Sequence, residues 1–404
     1  MPVRLTVISG PHRGRMFDFD GRDLFLMGRA QEAHFHVNEV AYSRIHFALE
    51  INPPWCRLVD PGSRNGTFVN GHKVQVATLR GGDIIKAGHS ELRFERIGPN
   101  GEPEGLARLG SLESSGTLKP LVDASVPILP PKIPGYRHVR EIGAGDLGRV
   151  YLAEREEDKA QVAIKTILPA VLDDPALVKR FLEDAQILGG IIHPHIVEFF
   201  EVGTIHDRIY VVMEYVRGED LLKVLSATGR LDPPIAVRIA CQLLDGIAYA
   251  HGEGFIHWDI KPANILLAKD GAKRAVKLAD FNLARLYRAS PMSGVPMTSV
   301  TAASTAYIAP EQITHYRTAG PNVDQYSTAA VLYHALSGTP PFPPQKNTAA
   351  MYLKILQDNP QHLRDLNAGV PPALAEVVHR ALRKDPPDRF ATAQEFRAAL
   401  TPFK

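Results

Sequence analysis

Between His257 and Asn264 the chain reads His-Trp-Asp-Ile-Lys-Pro-Ala-Asn. A carboxylate (Asp259), an ammonium (Lys261) and a carboxamide (Asn264) therefore fall within eight residues of one another. Together they are the set that phosphoryl transfer needs around a metal-bound phosphate. The carboxylate accepts a hydroxyl proton, the cation offsets developing phosphate charge, and the amide oxygen holds a hard metal ion. So short a grouping is useful only in a fold that brings further phosphate- and metal-binding groups to it from distant parts of the chain.

Those groups occur in order. Upstream, Gly143, Gly145 and Gly148 form a Gly-x-Gly-x-x-Gly pattern that runs into Val150. By itself this is weak, because dinucleotide-binding folds carry the same spacing and glycines also mark ordinary turns. A dinucleotide fingerprint opens into a helix. Here strand-like residues follow, and Val162-Ala163-Ile164-Lys165 reads as a second short strand. Glycines between two strands let a hairpin lie over phosphates where a side chain would clash. Downstream come Asp280-Phe281-Asn282 and Ala309-Pro310-Glu311.

As an ordered set, these motifs resemble the protein kinases, in particular Ser/Thr kinases of the bacterial, eukaryotic-like type, over about residues 136–401. The resemblance implies a bilobal α+β domain with a small antiparallel sheet and a mainly helical lobe. It implies ATP as cofactor with two Mg2+ sites, which Mn2+ also suits. Lys165 would pair with the α- and β-phosphates, Asp259 would be the base, and Lys261 would mark Ser/Thr specificity. Asn264 and Asp280 would hold metal. Met213 would be the gatekeeper before a hinge at Glu214 and Val216, with Val150, Ala163 and Leu266 sandwiching the adenine. Asp324 would brace the catalytic loop, Arg389 would pair with Glu311, and Thr305 stands where the hydroxyl-orienting Thr lies.

Three positions depart from the family pattern. The helix expected to supply a Glu to Lys165 reads Phe181-Leu182-Glu183-Asp184-Ala185-Gln186, so Asp184 takes that place, or Glu183 after a one-residue slip. Asn282 replaces a glycine, and Asn tolerates positive φ better than most residues. Trp258 replaces the Arg that precedes the catalytic Asp; an indole cannot hold a loop phosphate and reads as buried packing.

The first hundred residues follow another pattern. Apolar runs at Val3–Ile8, Leu24–Met27, His46–Ile51, Cys56–Val59, Thr67–Val69 and Ile84–Ala87 alternate with Gly, Pro, Asn and Asp turns, as in an all-β sandwich. Gly28-Arg29, Ser43-Arg44-Ile45-His46, Gly62-Ser63-Arg64-Asn65-Gly66-Thr67 and Val69-Asn70-Gly71 punctuate it. This series resembles a forkhead-associated (FHA) domain over residues 1–97, a β-sandwich that binds phosphothreonine peptides. By that resemblance Arg29, Ser43 and Arg44 or Arg64 would hold the phosphate, and Asn65 the peptide backbone. Arg forks and a hydroxyl suit phosphate oxygens through charge-assisted bonds.

Residues 98–134, rich in Gly, Pro and Ser, read as a flexible linker with a root-mean-square reach of roughly 30–35 Å. They carry Ser111, Ser114, Ser115 and Thr117. With 404 residues, the chain accommodates domains at 1–97 and 135–401, each large enough for a core. A net charge of +2 argues against nucleic acid or acidic membrane as an obligate partner. Two cysteines are too few for a disulfide framework and fit a cytoplasmic location. The chain has no apolar run of 18 residues and enters a strand-like pattern directly, so neither a membrane span nor a signal peptide is expected.

The expected function is an ATP-dependent Ser/Thr protein kinase in signalling, with Ser/Thr-bearing protein substrates and a module reading phosphothreonine on other proteins or on its own linker or activation loop (Thr117, Thr298, Thr301). The competing reading is a pseudokinase scaffold that binds nucleotide and phosphothreonine partners but transfers phosphate poorly.

Overall fold

A computed structural model of the chain describes residues 2–21, 23–53, 55–98, 102, 132–145, 148–167, 182–183, 185, 187–205, 208–269, 275–281, 304–315, 318–345 and 348–404. The first domain is two packed sheets. One runs in the spatial order Met16–Phe19 (β2), Val3–Ser9 (β1), Ser90–Arg96 (β11), Ile84–Ala87 (β10), Thr67–Val69 (β7) and His72–Val74 (β8). The other runs Phe35–His36 (β4), Asp23–Gly28 (β3), Phe47–Asn52 (β5), Trp55–Val59 (β6) and Val76–Leu79 (β9). Alternation decides what lies between them. Val3, Leu5 and Val7 of β1 and Phe47, Leu49 and Ile51 of β5 point inward into one apolar core.

Strand β3 breaks that alternation. Phe25 and Met27 join the sandwich core, while Leu24 and Leu26 are buried on the opposite face with Ala30, Ala33, Ile45 and Ala48. That second face packs into the core of the following domain. His34 completes the junction: its Nδ1 accepts from the Leu26 N–H at 2.9 Å, which leaves Nε2–H to donate to the Thr314 carbonyl at 2.9 Å.

The second domain begins with a five-stranded antiparallel sheet, ordered Tyr136–Gly145 (β12), Gly148–Arg155 (β13), Gln161–Ile167 (β14), Arg208–Glu214 (β16) and Phe199–Ile205 (β15). A helical lobe follows, with Leu221–Thr228 (α1), Pro233–Gly252 (α2), Pro310–Thr314 (α3), Asn322–Ser337 (α4), Thr348–Gln357 (α5), Leu363–Leu366 (α6), Pro372–Ala381 (α7) and Ala393–Leu400 (α8). Helix α2 starts on two prolines after Asp232 and carries ten buried positions; it pairs with α4, which is buried almost all round. A small sheet of Gly218–Asp220 (β17), Ile265–Ala268 (β18) and Val276–Leu278 (β19) lies between the lobes. It positions the loops on either side of it.

Candidate active site and phosphate-binding loops

Antiparallel pairing brings the dispersed groups of the second domain into one cleft. In β12 and β13, Gly145 faces Gly148, and in β13 and β14, Val150 faces Lys165. Gly148 has φ 145°, and a Cβ there would stand 1.9 Å from the Thr166 carbonyl oxygen. The sheet itself therefore requires glycine at this position, whatever lies above the hairpin. Lys165, 6% exposed, reaches across the lobes to Asp280 at 2.7 Å. Ala163 pairs with Met213 in β16, and the chain leaves that strand after Glu214. The Glu214 carboxylate is tied to Lys277 at 2.6 Å, so only backbone remains for a hinge contact there. Val216, just beyond, has no backbone hydrogen bond on its N–H among the described residues. Val150 and Leu266 are half-buried at the cleft, while Ala163 is buried.

Across the cleft, Asp259 collects its neighbours. Lys261 Nζ lies 3.0 Å from Asp259 Oδ2. Asn264 Nδ2 donates to the Asp259 carbonyl at 2.8 Å and to its Oδ2 at 3.2 Å. The backbone beneath them is strained and held. Trp258 has φ 71° and Asp280 φ 61°, values that are uncommon for any non-glycine residue and persist only where surrounding bonds over-determine them. At Trp258 those bonds are visible. Asp324 accepts from the N–H of His257 at 2.8 Å and of Trp258 at 2.9 Å, and Gln312 Nε2 donates to the Trp258 carbonyl at 2.9 Å. The indole itself is 5% exposed and lies in the helical-lobe core. Arg389 and Glu311 form a buried two-point pair at 2.6 and 2.7 Å, with the remaining guanidinium N–H groups on the carbonyls of Arg383, Lys384 and Asn322.

In the first domain, loops at one end of the sandwich converge. Arg29, Ser43, Arg44 and Arg64 line a cleft of about 280 Å³. Gly28 lets the loops approach, since a Cβ there would stand 2.2 Å from the Arg44 carbonyl oxygen. Buried His46 ties them together, accepting from the Ser43 N–H at 3.3 Å and bonding the Gly66 carbonyl at 3.1 Å. Ser43 Oγ accepts from the Arg64 N–H at 2.9 Å. Asp60 shapes the next turn through Gly62 N–H, Ser63 N–H and Ser63 Oγ, at 2.8, 2.6 and 2.7 Å. Burial opposes its ionisation, but the Ser63, Thr67 and Gly62 hydrogen bonds outweigh this and hold its pKa below the ordinary carboxylate value.

Residues 136–399 match the family model of the protein kinase domain, about two thirds of the chain. The chain belongs to the protein kinase family. Residues 25–88 match the model of the FHA domain. PrkC, a Ser/Thr-protein kinase of Bacillus subtilis, is 34% identical over 66% of this chain and 40% of its own length. PknB, a Ser/Thr-protein kinase of Mycolicibacterium smegmatis, is 34% identical over 64% of this chain and 41% of its own. The chain thus spans less than half the length of these two curated relatives. Among solved structures, the Mycobacterium tuberculosis PknI kinase domain aligns with TM-score 0.53 and 26% identity over 67% of this chain and 95% of its own. Rad53 residues 1–466, solved with AMP-PNP, aligns with TM-score 0.53 and 22% identity over 98% of each chain, a likeness of fold.

Within the kinase domain, Lys165 meets Asp280, Lys261 and Asn264 meet Asp259, and the Ala279 N–H on the Asn264 carbonyl at 2.8 Å joins the two groups. In the FHA domain both Arg44 and Arg64, weighed in the sequence as alternatives, border the same cleft as Arg29. Asn65 stands apart from it, its Nδ2 bracing the Ala41 carbonyl at 2.8 Å. Asp184, Asn282, Thr298, Thr301 and the linker Ser and Thr residues lie outside the described residues. Sequence reasoning missed Gln312, the bracing bonds of the His257 ring to the Ala279 carbonyl and the Asp259 N–H, and the Lys277–Glu214 pair, which hold the loop and hinge rather than act in them. It also missed the docking of the FHA domain on the helical lobe.

Proposed function

We propose that this chain is an ATP-dependent Ser/Thr protein kinase whose N-terminal module reads phosphothreonine, with domains at 1–97 and 135–401 joined by the linker 98–134. One observation carries the reading: Asp259, Lys261 and Asn264 meet within 3.2 Å, Asp280 follows the Ala279 N–H that donates to the Asn264 carbonyl at 2.8 Å, and Lys165 reaches across the lobes to Asp280 at 2.7 Å. Asp259 accepts the proton of a Ser or Thr hydroxyl, and Lys261 beside it offsets the charge on the transferring phosphoryl group. Lys165 binds the α- and β-phosphates of ATP, and backbone groups of Glu214 and Val216 orient the adenine. The scaffold alternative gains no support, because every group that touches nucleotide, metal and hydroxyl is present.

The donor set fits magnesium. Asn264 commits its Nδ2 to Asp259, leaving its amide oxygen, and Asp280 offers a carboxylate. Among the described residues no cluster of three or more His, Cys, Asp or Glu could hold a metal alone. That suits an ion whose other ligands are substrate phosphates and water. Asn264 and Asp280 would hold magnesium, which would supply neutralisation of charge on the phosphate oxygens. A cytoplasmic location agrees with two free, buried cysteines, and no helix among the described residues is long and apolar enough to cross a membrane.

Incubation of the purified protein with magnesium and γ-labelled ATP is expected to label the chain or a generic acceptor protein. The Asp259→Asn variant is expected to lose that labelling. Wild-type label from the variant would sink the assignment.

A further inference from the structure

The phosphate-binding cleft of the FHA domain is not closed by that domain alone. Beside Arg29, Ser43, Arg44 and Arg64, its wall includes Leu353, a residue of kinase helix α5. Met351, Tyr352 and Ile355 bury the inner face of that helix, and Leu353 is left half-buried on the side toward the FHA loops. Val40, on an FHA loop, lines the same cleft and is 77% exposed. The cleft therefore has two characters: three guanidiniums and a hydroxyl, and an aliphatic wall contributed by both domains. Among the described residues no carboxylate lines it and the three guanidiniums make no ion pair. A di-anionic group with an aliphatic side chain close by is the complementary occupant.

From this geometry we infer that the phosphothreonine site of this chain is composite, with Leu353 of the kinase lobe and Val40 selecting an aliphatic residue near the phosphothreonine of another protein. The inference rests on the phosphothreonine-reading function proposed above and names its specificity. The openness of the cleft, with Val40 and all three arginines exposed, favours a segment arriving from outside. Two consequences follow. Selectivity depends on the FHA domain staying docked, through the Leu24/Leu26 face and the His34–Thr314 hydrogen bond. By reciprocity, a peptide that touches both walls strengthens that docking.

The test uses the full chain after phosphatase treatment, titrated by fluorescence anisotropy with phosphothreonine peptides. Their flanking positions carry Leu or Ile in one set and Asp or Ser in the other, beside unphosphorylated twins. The wild-type chain is expected to prefer the aliphatic set by about fivefold, the scale of one partly buried aliphatic contact. Leu353→Asp, Val40→Asp and His34→Ala are each expected to erase that preference while binding still requires the phosphate. Melting temperatures of the variants check that each remains folded, and Val40→Asp, at an exposed loop position, keeps the test alive should Leu353→Asp unfold. An unchanged aliphatic preference in Leu353→Asp and His34→Ala would overturn the composite site and leave the phosphothreonine reading standing. Equal wild-type affinity for phosphorylated and unphosphorylated peptides would overturn both. Binding seen only after phosphatase treatment would assign the site to this chain's own phosphothreonine and overturn an external partner.

Discussion

The two proposed phosphate sites of this molecule handle cations in opposite ways. In the FHA cleft, Arg29, Arg44 and Arg64 are exposed and, among the described residues, without an acidic partner. In the kinase cleft each cation has a carboxylate: Lys165 has Asp280 at 2.7 Å and Lys261 has Asp259 at 3.0 Å. The difference follows from what each site must do with phosphate. A reader has to retain the anion, so its positive charge stays unneutralised until the ligand arrives. A transfer site has to pass the phosphoryl group on and release a product. Its cations are therefore balanced, by carboxylates that in the proposed mechanism would hold metal or take a proton.

Removing one carboxylate from the transfer site is the most severe way to break this contrast. Asp280→Asn is expected to lower turnover about ten-thousandfold, through loss of a metal ligand and of Lys165's partner. It also takes from Lys165 the carboxylate it pairs with among the described residues. Metal-free nucleotide is then expected to bind the variant at least as tightly as it binds the wild type. Calorimetry with ADP in the presence of a chelator, alongside steady-state turnover, reads both effects. Weaker metal-free binding would show that Asp280 does not act by balancing Lys165.

Stability separates the two regions next. Arg389 spends its guanidinium N–H groups on Glu311 and three carbonyls inside the helical lobe. Arg389→Ala strands a buried carboxylate and is expected to destabilise the kinase domain by about 3–5 kcal/mol in urea unfolding. Arg29→Ala removes an exposed arginine that makes no ion pair among the described residues, and no comparable loss of stability is expected. Its effect falls on binding: affinity for phosphothreonine peptides drops by about 1.5–3 kcal/mol, the scale of a hydrogen bond to a charged group. Calorimetry against phosphorylated and unphosphorylated peptides measures it, and an unaltered difference between them would remove Arg29 from the phosphate site.

The same contrast governs what the sequence disclosed. Kinase motifs are legible because each needs particular residue types at particular spacings, and among the described residues Lys165 meets Asp280 while Lys261 and Asn264 meet Asp259. The residues that hold the motifs have no such signature. Gln312 braces the Trp258 carbonyl from 54 positions away, and nothing in its local sequence distinguishes it from a surface glutamine. Domain docking did leave a trace. Leu24-Phe25-Leu26-Met27 is apolar at four successive positions, where a strand with one solvent face would alternate. Read only as a strand, that run conceals its second buried face, which exists because the kinase lobe covers it. Leu353 was illegible for the same reason, since its role depends on the proximity of another domain.

Trp258 bears on whether the kinase cleft also acquires a reader's unpaired cation through regulation. In family members with Arg before the catalytic Asp, a phosphorylated activation-loop residue gains a cationic partner there and the loop orders around it. Here the indole is buried in the helical-lobe core, and the strained backbone at φ 71° is held from both sides by Asp324 and Gln312. The bonds that fix the catalytic loop at this point come from Asp324 and Gln312. An indole carries no charge and at most one donor, so a loop phosphate has little to gain from it. Phosphorylation at Thr298 or Thr301, which lie outside the described residues, is expected to change turnover by less than about tenfold, ~1.4 kcal/mol of barrier. Turnover of phosphatase-treated and rephosphorylated protein, with sites mapped by mass spectrometry, checks it. A hundredfold fall that rephosphorylation restores would mean that another basic residue near the loop, such as Arg285 or Arg288, supplies the unpaired cation, and the division between a charged reader and a balanced transfer site would fail at that point.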